Sequence, residues 1–224
     1  MTEAILVVGA TGLIGNLLVR KLVADGRDNE LHLLIRKPVE ENYGAATVHV
    51  APNEQWPEVT ASIKAQQAVS CLGSTMKKAG SKQAFAAIDR DLVGAVGKAA
   101  KAAGARQFIA VSSTMANAEA SGFYLKVKGQ AEQLLREESF DRLDIIRPGL
   151  LRGERSNDPR LGESLAIIAS PLMDRLLHGS LRRYRSIDAR EVASAIAVLL
   201  EKEQAGVHIH ENDAIWKLAE QETA

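Results

Sequence analysis

The chain has 224 residues, 46% of them hydrophobic, with 28 basic side chains balanced by 28 acidic ones. That length fits one α/β domain with a sizeable core, and a formal net charge of zero excludes the basic bias of a nucleic-acid or anionic-membrane binder. Cys71 is the only cysteine, which rules out an internal disulfide framework and suits a reducing cytoplasm. The sequence enters a strand almost at once, leaving no room for a signal peptide. No apolar run approaches the ~20 residues needed to span a bilayer. A soluble cytoplasmic protein is the expectation.

Ile5 to Val8 reads as a buried strand, followed by Gly9, Gly12 and Gly15 at a Gly-x-x-Gly-x-x-Gly spacing. From Leu13 the apolar residues switch to helical period through Ile14, Leu17, Leu18 and Leu22, and Asp25-Gly26 is a stop. A strand that turns through glycines into a helix can seat a pyrophosphate. The first glycine permits the turn, the second admits backbone N–H groups to the phosphates, and the third brings helix and strand close.

Leu31–Ile35 is the second strand, closed by Arg36-Lys37-Pro38, and Thr47–Val50 a short third, with Pro52 and Pro57 bracketing its exit. Gln67–Leu72 is the fourth strand, ending at Gly73. A long alanine-rich helix is expected from Lys82 to Ala103, then a fifth strand at Gln107–Val111 ending in Ser112-Ser113-Thr114. Phe123 to Glu138 is helical, and Leu143–Arg147 is a sixth strand cut off by Pro148-Gly149. Strands alternating with helices predict a doubly wound parallel sheet covered on both faces.

After Pro148 the alternation breaks down. Residues 152–160 form a polar loop, 161–177 one or two amphipathic helices packed by default on the core, 190–202 a helix and Val207–His210 a short strand before a fraying tail. The chain reads as one domain over 1–224, in which residues 151–224 supply the second wall of a pocket beyond the strand ends.

Two clusters carry chemistry. NAD-binding folds place an acidic residue about 20 positions past the glycines for the ribose 2′-hydroxyl. Here Arg36 and Lys37 end strand two, with no carboxylate beside them. They suit a 2′-phosphate and therefore NADP(H); a solvated basic corner is the alternative. Tyr124 and Lys128 are four residues apart and share a helix face. An adjacent ammonium favours the ionised form of a phenol, and Ser113 at the end of strand five can hydrogen-bond the same substrate oxygen.

Other polar residues have plainer readings. Cys71 closes an apolar strand as a small buried hydrophobe, and His32 and His49 are packed or edge histidines. His208 and His210 lack a third ligand, so no metal site is expected. Arg182, Arg183 and Arg185 around Tyr184 form a solvated face or an anion contact.

The stretches Gly9-Ala-Thr-Gly-Leu-Ile-Gly15, Val111-Ser-Ser113, Tyr124-x-x-x-Lys128 and Arg147-Pro-Gly149 resemble the short-chain dehydrogenase/reductases, on their atypical branch. Cys71-Leu-Gly-Ser-Thr75, Ile88-Asp-Arg-Asp91, Phe123–Gly129 and Phe140–Leu150 narrow the resemblance to the Tat-interacting-protein subgroup of NADPH-binding oxidoreductases. One departure is Ala51-Pro52-Asn53 after strand three, where many relatives carry an acidic residue.

The resemblance implies an NAD(P)-binding Rossmann fold with NADPH across the strand ends. Its contacts would come from Gly9, Thr11, Gly12, Leu13, Ile14 and Gly15, from Cys71, Leu72, Gly73 and Ser74, from Ser112, and from Pro148, Gly149 and Leu150. Ser113 and Tyr124 would polarise the carbonyl of a small-molecule substrate, with Tyr124 as proton donor, while Lys128 binds ribose and tunes Tyr124. A cofactor-bound regulator acting through a protein partner is the second reading, and a sugar-nucleotide epimerase or dehydratase a variant on the same fold. A homodimer through the long helices is usual in the wider family.

Overall fold

In the computed structural model, residues 3–153 and 178–221 are described. Strand β1 (Ile5–Val8) enters helix α1 (Leu13–Ala24), and β2 (Leu31–Ile35) and β3 (Thr47–Val50) follow. Helix α2 (Trp56–Ser62) leads to β4 (Gln67–Ser70), and two short helices, α3 (Met76–Ala79) and α4 (Lys82–Ala86), run into a π-helical turn at Ala87–Leu92. Then come α5 (Val93–Ala102), β5 (Gln107–Val111), α6 (Phe123–Glu137) and β6 (Arg142–Arg147). The last part holds β7 (Leu151–Arg152), a helical turn at Gly179–Tyr184, β8 (Ile187–Asp188), α7 (Ala189–Leu199), β9 (Gly206–Glu211) and α8 (Asn212–Gln221).

Seven strands form one parallel sheet in the order β3-β2-β1-β4-β5-β6-β9. The order reverses between β1 and β4, the switch point at which open α/β sheets bind ligands. Strands buried on both faces read as continuous apolar runs, and β1 is buried at all four positions. One core holds Val7, Leu33 and Ile109 with residues of α1 and α7; the other holds Leu6, Phe108 and Ile145 with residues of α2, α5 and α6. The doubly wound expectation is met.

One expectation is refined, one holds and one is corrected. The helix expected at Lys82–Ala103 runs without a break to Ala102 but turns π-helical over Ala87–Leu92. Proline is tolerated in a first helical turn, where its missing N–H costs nothing, so Pro57 sits at the start of α2 and with Pro52 brackets the exit from β3 as expected. The tail does not fray before Gln221. Helix α8 buries Ile215 completely and ties to α7 through a 3.0 Å bond from Trp216 Nε1 to Glu191 Oε2. The helices expected within 161–177, and most of the 152–160 loop, lie outside the described residues.

Candidate functional site

The glycine turn between β1 and α1 is built by close backbone approach. Gly9 has a left-handed φ of 79°, and a Cβ there would meet the Cys71 carbonyl carbon and oxygen at 2.9 Å. A Cβ on Gly15 would lie inside van der Waals contact of the Gly9 carbonyl oxygen. The Gly12 N–H donates to Gly9 O at 2.9 Å, and Gly12 caps α1 without any side-chain bond or first-turn acid. That leaves the positive helix end with no protein anion at its cap. Thr11 is exposed and Leu13 half-buried, but the side chain of Ile14 belongs to the core, so only its backbone can serve a ligand.

Arg36 and Lys37 are exposed beyond β2 and form no ion pair among the described residues. Four residues after Lys37, Glu41 is held against α1. It accepts from Asn16 Nδ2 and Arg20 Nε at 2.7 Å each and from the Tyr43 hydroxyl at 3.3 Å. Burial opposes its carboxylate, yet these bonds outweigh it and keep the carboxyl below its usual range. Burial and the Glu41 charge together push the Tyr43 phenol up to about 12.

At the exit of β4, Leu72 is buried in the second core while Gly73 is exposed. Cys71 packs against the first core; part of the residue reaches solvent, but burial pushes its thiol up to about 12. Lys128 is 5% exposed, with its Nζ 2.8 Å from Oδ1 of Asp89, which is fully buried. Oδ2 of Asp89 accepts the Ser74 N–H at 2.8 Å. A Cβ on Gly73 would sit 3.6 Å from the ammonium. The lysine thus lies under the loop that leaves β4.

Tyr124, one turn earlier on α6, is 39% exposed and packs its ring on Phe85, with centroids 5.5 Å apart. Its hydroxyl has no hydrogen bond among the described residues. The part-buried Ser113 donates only a long 3.2 Å bond to Thr114 O. Met115 follows at a left-handed φ of 63°, strained for a side-chain-bearing residue, with its side chain half exposed.

Ser112 sits differently. Its hydroxyl donates at 2.6 Å to Glu132, a buried carboxylate on α6 that also receives Arg147 and Arg136. The hydrogen bond from Arg147 and the Glu132 charge raise that guanidinium's already high pKa. A cleft of about 430 Å³ opens beside this group. The Ser112 side chain is therefore spent on fold, leaving its backbone for a ligand. Pro148 is buried, Leu150 exposed, and the Gly149 N–H donates to Asn212 Oδ1 at 2.8 Å. A Cβ on Gly149 would run into the carbonyl oxygens of Arg183 and Arg185, so this glycine is required by the turn packed on it.

Sequence reasoning missed Asn212, fully buried, whose Nδ2 bonds Arg185 O at 2.6 Å and so clips the Gly149 loop to that turn. It also gave no role to Asp89; the Ile88-Asp-Arg-Asp91 stretch was the available signal. Arg182 pairs with Asp213 and Arg183 with Glu211, so these two are partly neutralised. His32 and His49 lie 3.1 Å apart and stacked, and burial lowers the pKa of both.

A parallel doubly wound sheet with a glycine turn at its switch point defines a dinucleotide-binding protein. The comparisons specify which. Residues 9–203 match a family model described as NAD(P)H-binding. The mitochondrial protein FMP52 of Eremothecium gossypii is 35% identical over 97% of both chains. HTATIP2 of Rattus norvegicus is 33% identical over 73% of this chain and 69% of its own. The chain belongs to the NAD(P)H-binding family, with FMP52 and HTATIP2 among its relatives.

Among solved structures, a short-chain dehydrogenase/reductase superfamily protein of Agrobacterium tumefaciens with bound NAD aligns with TM-score 0.68 at 16% identity, over 94% of this chain and 78% of that one. A UDP-glucose 4-epimerase of Thermotoga maritima aligns with TM-score 0.68 at 16% identity, over 97% and 82%. At such identities the likeness concerns the fold. The expectation of a cytoplasmic protein is corrected by the relatives: FMP52 proteins of Eremothecium gossypii and Candida albicans are both named mitochondrial. A single cysteine excludes a disulfide framework but does not distinguish one reducing compartment from another.

Proposed function

We propose that this protein is an NADPH-dependent reductase of a small carbonyl compound. The observation that carries the reading is the pairing of an uncapped α1 end behind a Cβ-free glycine cradle with a lysine seated under the next strand's exit. The cradle fits a dinucleotide: a Cβ at Gly9 or Gly15 would fill the turn, and N–H groups at a helix start suit a pyrophosphate. Arg36 and Lys37, free of ion pairs among the described residues, suit a 2′-phosphate better than a ribose hydroxyl. Bound there, the reduced nicotinamide supplies hydride.

The protein's own part is to orient and to donate. Tyr124 holds a proton on a hydroxyl that no described residue engages and gives it to the carbonyl oxygen as hydride arrives. Ser113, with only a long bond to break, hydrogen-bonds the same oxygen. Lys128 contributes an ammonium beside the Gly73 loop for the ribose hydroxyls. Epimerisation of a sugar nucleotide rests on likeness of fold alone. The compartment that the FMP52 names support is the mitochondrion.

The deciding experiment is a screen of small carbonyl substrates with NADPH, run on the wild type and on Tyr124→Phe. The variant should bind NADPH with unchanged affinity and lose about 10²- to 10⁴-fold in turnover, the usual contribution of a positioned acid. Equal turnover in both proteins would remove Tyr124 from the chemistry.

A further inference from the structure

We infer that Asp89 is a positioning residue, the counter-ion that lets a charged Lys128 remain buried beneath the Gly73-Ser74 loop. The inference deepens the proposed function, in which Lys128 serves the ribose, and rests on it for its purpose.

An ammonium taken out of water is tolerated only when it is paired. Lys128 is 5% exposed, and its one partner among the described residues is Asp89 Oδ1 at 2.8 Å. Asp89 is itself fully buried, and its Oδ1 accepts no hydrogen bond among the described residues, so the ion pair with Lys128 is what compensates it. No other charge among the described residues replaces it. On the π turn, Arg90 is turned to Asp91 and Gln130. On α6, Glu132 is occupied by Ser112, Arg136 and Arg147. The Gly73-Ser74 loop adds only the Ser74 N–H, bound to the other oxygen of Asp89.

The backbone explains how Asp89 reaches this place. A π-helical turn widens the helix by a residue and re-aims its side chains. Here it interrupts α4–α5 at the position facing α6 and the β4 exit. One carboxylate therefore orients both the lysine and the loop.

Asp89→Asn is the test, because it keeps the shape and the acceptor for Ser74 while deleting the charge. Without its counter-ion, a buried ammonium gives up its proton well below the pH at which an exposed lysine does. The unfolded chain then binds more protons than the folded one, so stability rises with pH. Urea unfolding should show the variant far weaker than the wild type at neutral pH, with the gap narrowing toward about pH 10, where free lysine also loses its proton. Adding Lys128→Met should recover most of the loss. NADPH affinity at neutral pH should fall roughly tenfold or more in Asp89→Asn, the size of one charged contact.

A gap that does not change with pH, or a double variant weaker than Asp89→Asn, would overturn the counter-ion role. If Asp89→Asn does not fold at neutral pH, the double variant decides: folding supports the inference and failure to fold refutes it. Should the wild type bind no NADPH, the proposed function fails, while the unfolding series still decides the role of Asp89.

Discussion

The two ends of the sheet hold polar side chains in opposite conditions. At the amino end, Gln67 donates to Gln107 at 2.8 Å and to Leu200 O at 2.6 Å. Gln107 passes a bond to Asp144 at 3.0 Å. Arg142 grips Asp144 with two nitrogens at 2.6 and 2.8 Å, and His210 approaches it at 2.8 Å. An open cleft of about 730 Å³ lies beside them, yet these side chains already have partners within the fold. At the carboxyl end, the Tyr124 hydroxyl, Arg36 and Lys37 have none among the described residues, and no side chain caps α1. Buried polar groups must be paired to be tolerated. Unused hydrogen-bonding capacity therefore favours the carboxyl end over this amino-end cleft as the place for a ligand, in keeping with the proposed function.

The sharpest way to break this contrast is Asp144→Ala. It strands a buried guanidinium, so urea unfolding should show a loss of about 3–5 kcal/mol, while NADPH affinity of the folded protein stays unchanged. A comparable loss of cofactor affinity would show that the amino end also serves the site. The same carboxylate shapes the acid limb. Burial opposes its ionisation, but bonds from His210, Arg142 and Gln107 outweigh that and hold it below the usual range. A depressed folded value gives stability that is present above the unfolded value near pH ~3.9 and is lost as pH falls through the folded one. The Asp144→Asn variant should therefore lose less stability than the wild type on acidification below about pH 4, read from urea midpoints at each pH.

Gly15→Ala comes next. Its Cβ would press on the Gly9 carbonyl, an overpacking that costs about 1–3 kcal/mol and should also abolish NADPH binding by calorimetry. Retained binding would mean that the cradle is not the phosphate site. The pair Arg36→Ala and Lys37→Ala, exposed and away from the core, should alter stability by less than about 0.5 kcal/mol. It should weaken NADPH roughly tenfold or more without touching NADH. Parallel loss of both cofactors would sink the 2′-phosphate argument. The smallest effect belongs to Cys71, whose thiol is pushed up to about 12. A thiol reagent at neutral pH should leave it unmodified until the protein unfolds, since the thiolate is the reactive form.

Where patterns are local, the chain was legible. The apolar run of β1, the glycines after it and the helical period of α1 are set by nearest neighbours, as are β2, β3 and β5, whose bounds match the expectation. Helix α8 was not, although residues 212–221 already carry an amphipathic pattern: few of them are apolar, and only the packing against α7 shows that Ile215, Trp216 and Leu218 make a core-facing side. Nor was the π turn: its residues have ordinary helical character, and only the reach of Asp89 to Lys128 gives the interruption a purpose. Ser112 and Gly149 were read as cofactor contacts; that the Ser112 hydroxyl is aimed at Glu132 and that Gly149 is pressed by two carbonyls are facts of packing that no local pattern carried.

By itself the sequence determined the class of fold, the glycine turn after β1 and the residue types available for chemistry. Each follows from periodicity and from the backbone freedom of glycine, which are properties of short segments. Tertiary structure alone decided which polar groups are consumed and which remain for a ligand. Partners such as Asp89 and Lys128, or Gly149 and Asn212, stand 39 and 63 residues apart. They meet only once the sheet and its helices have closed, and burial then makes each pairing obligatory.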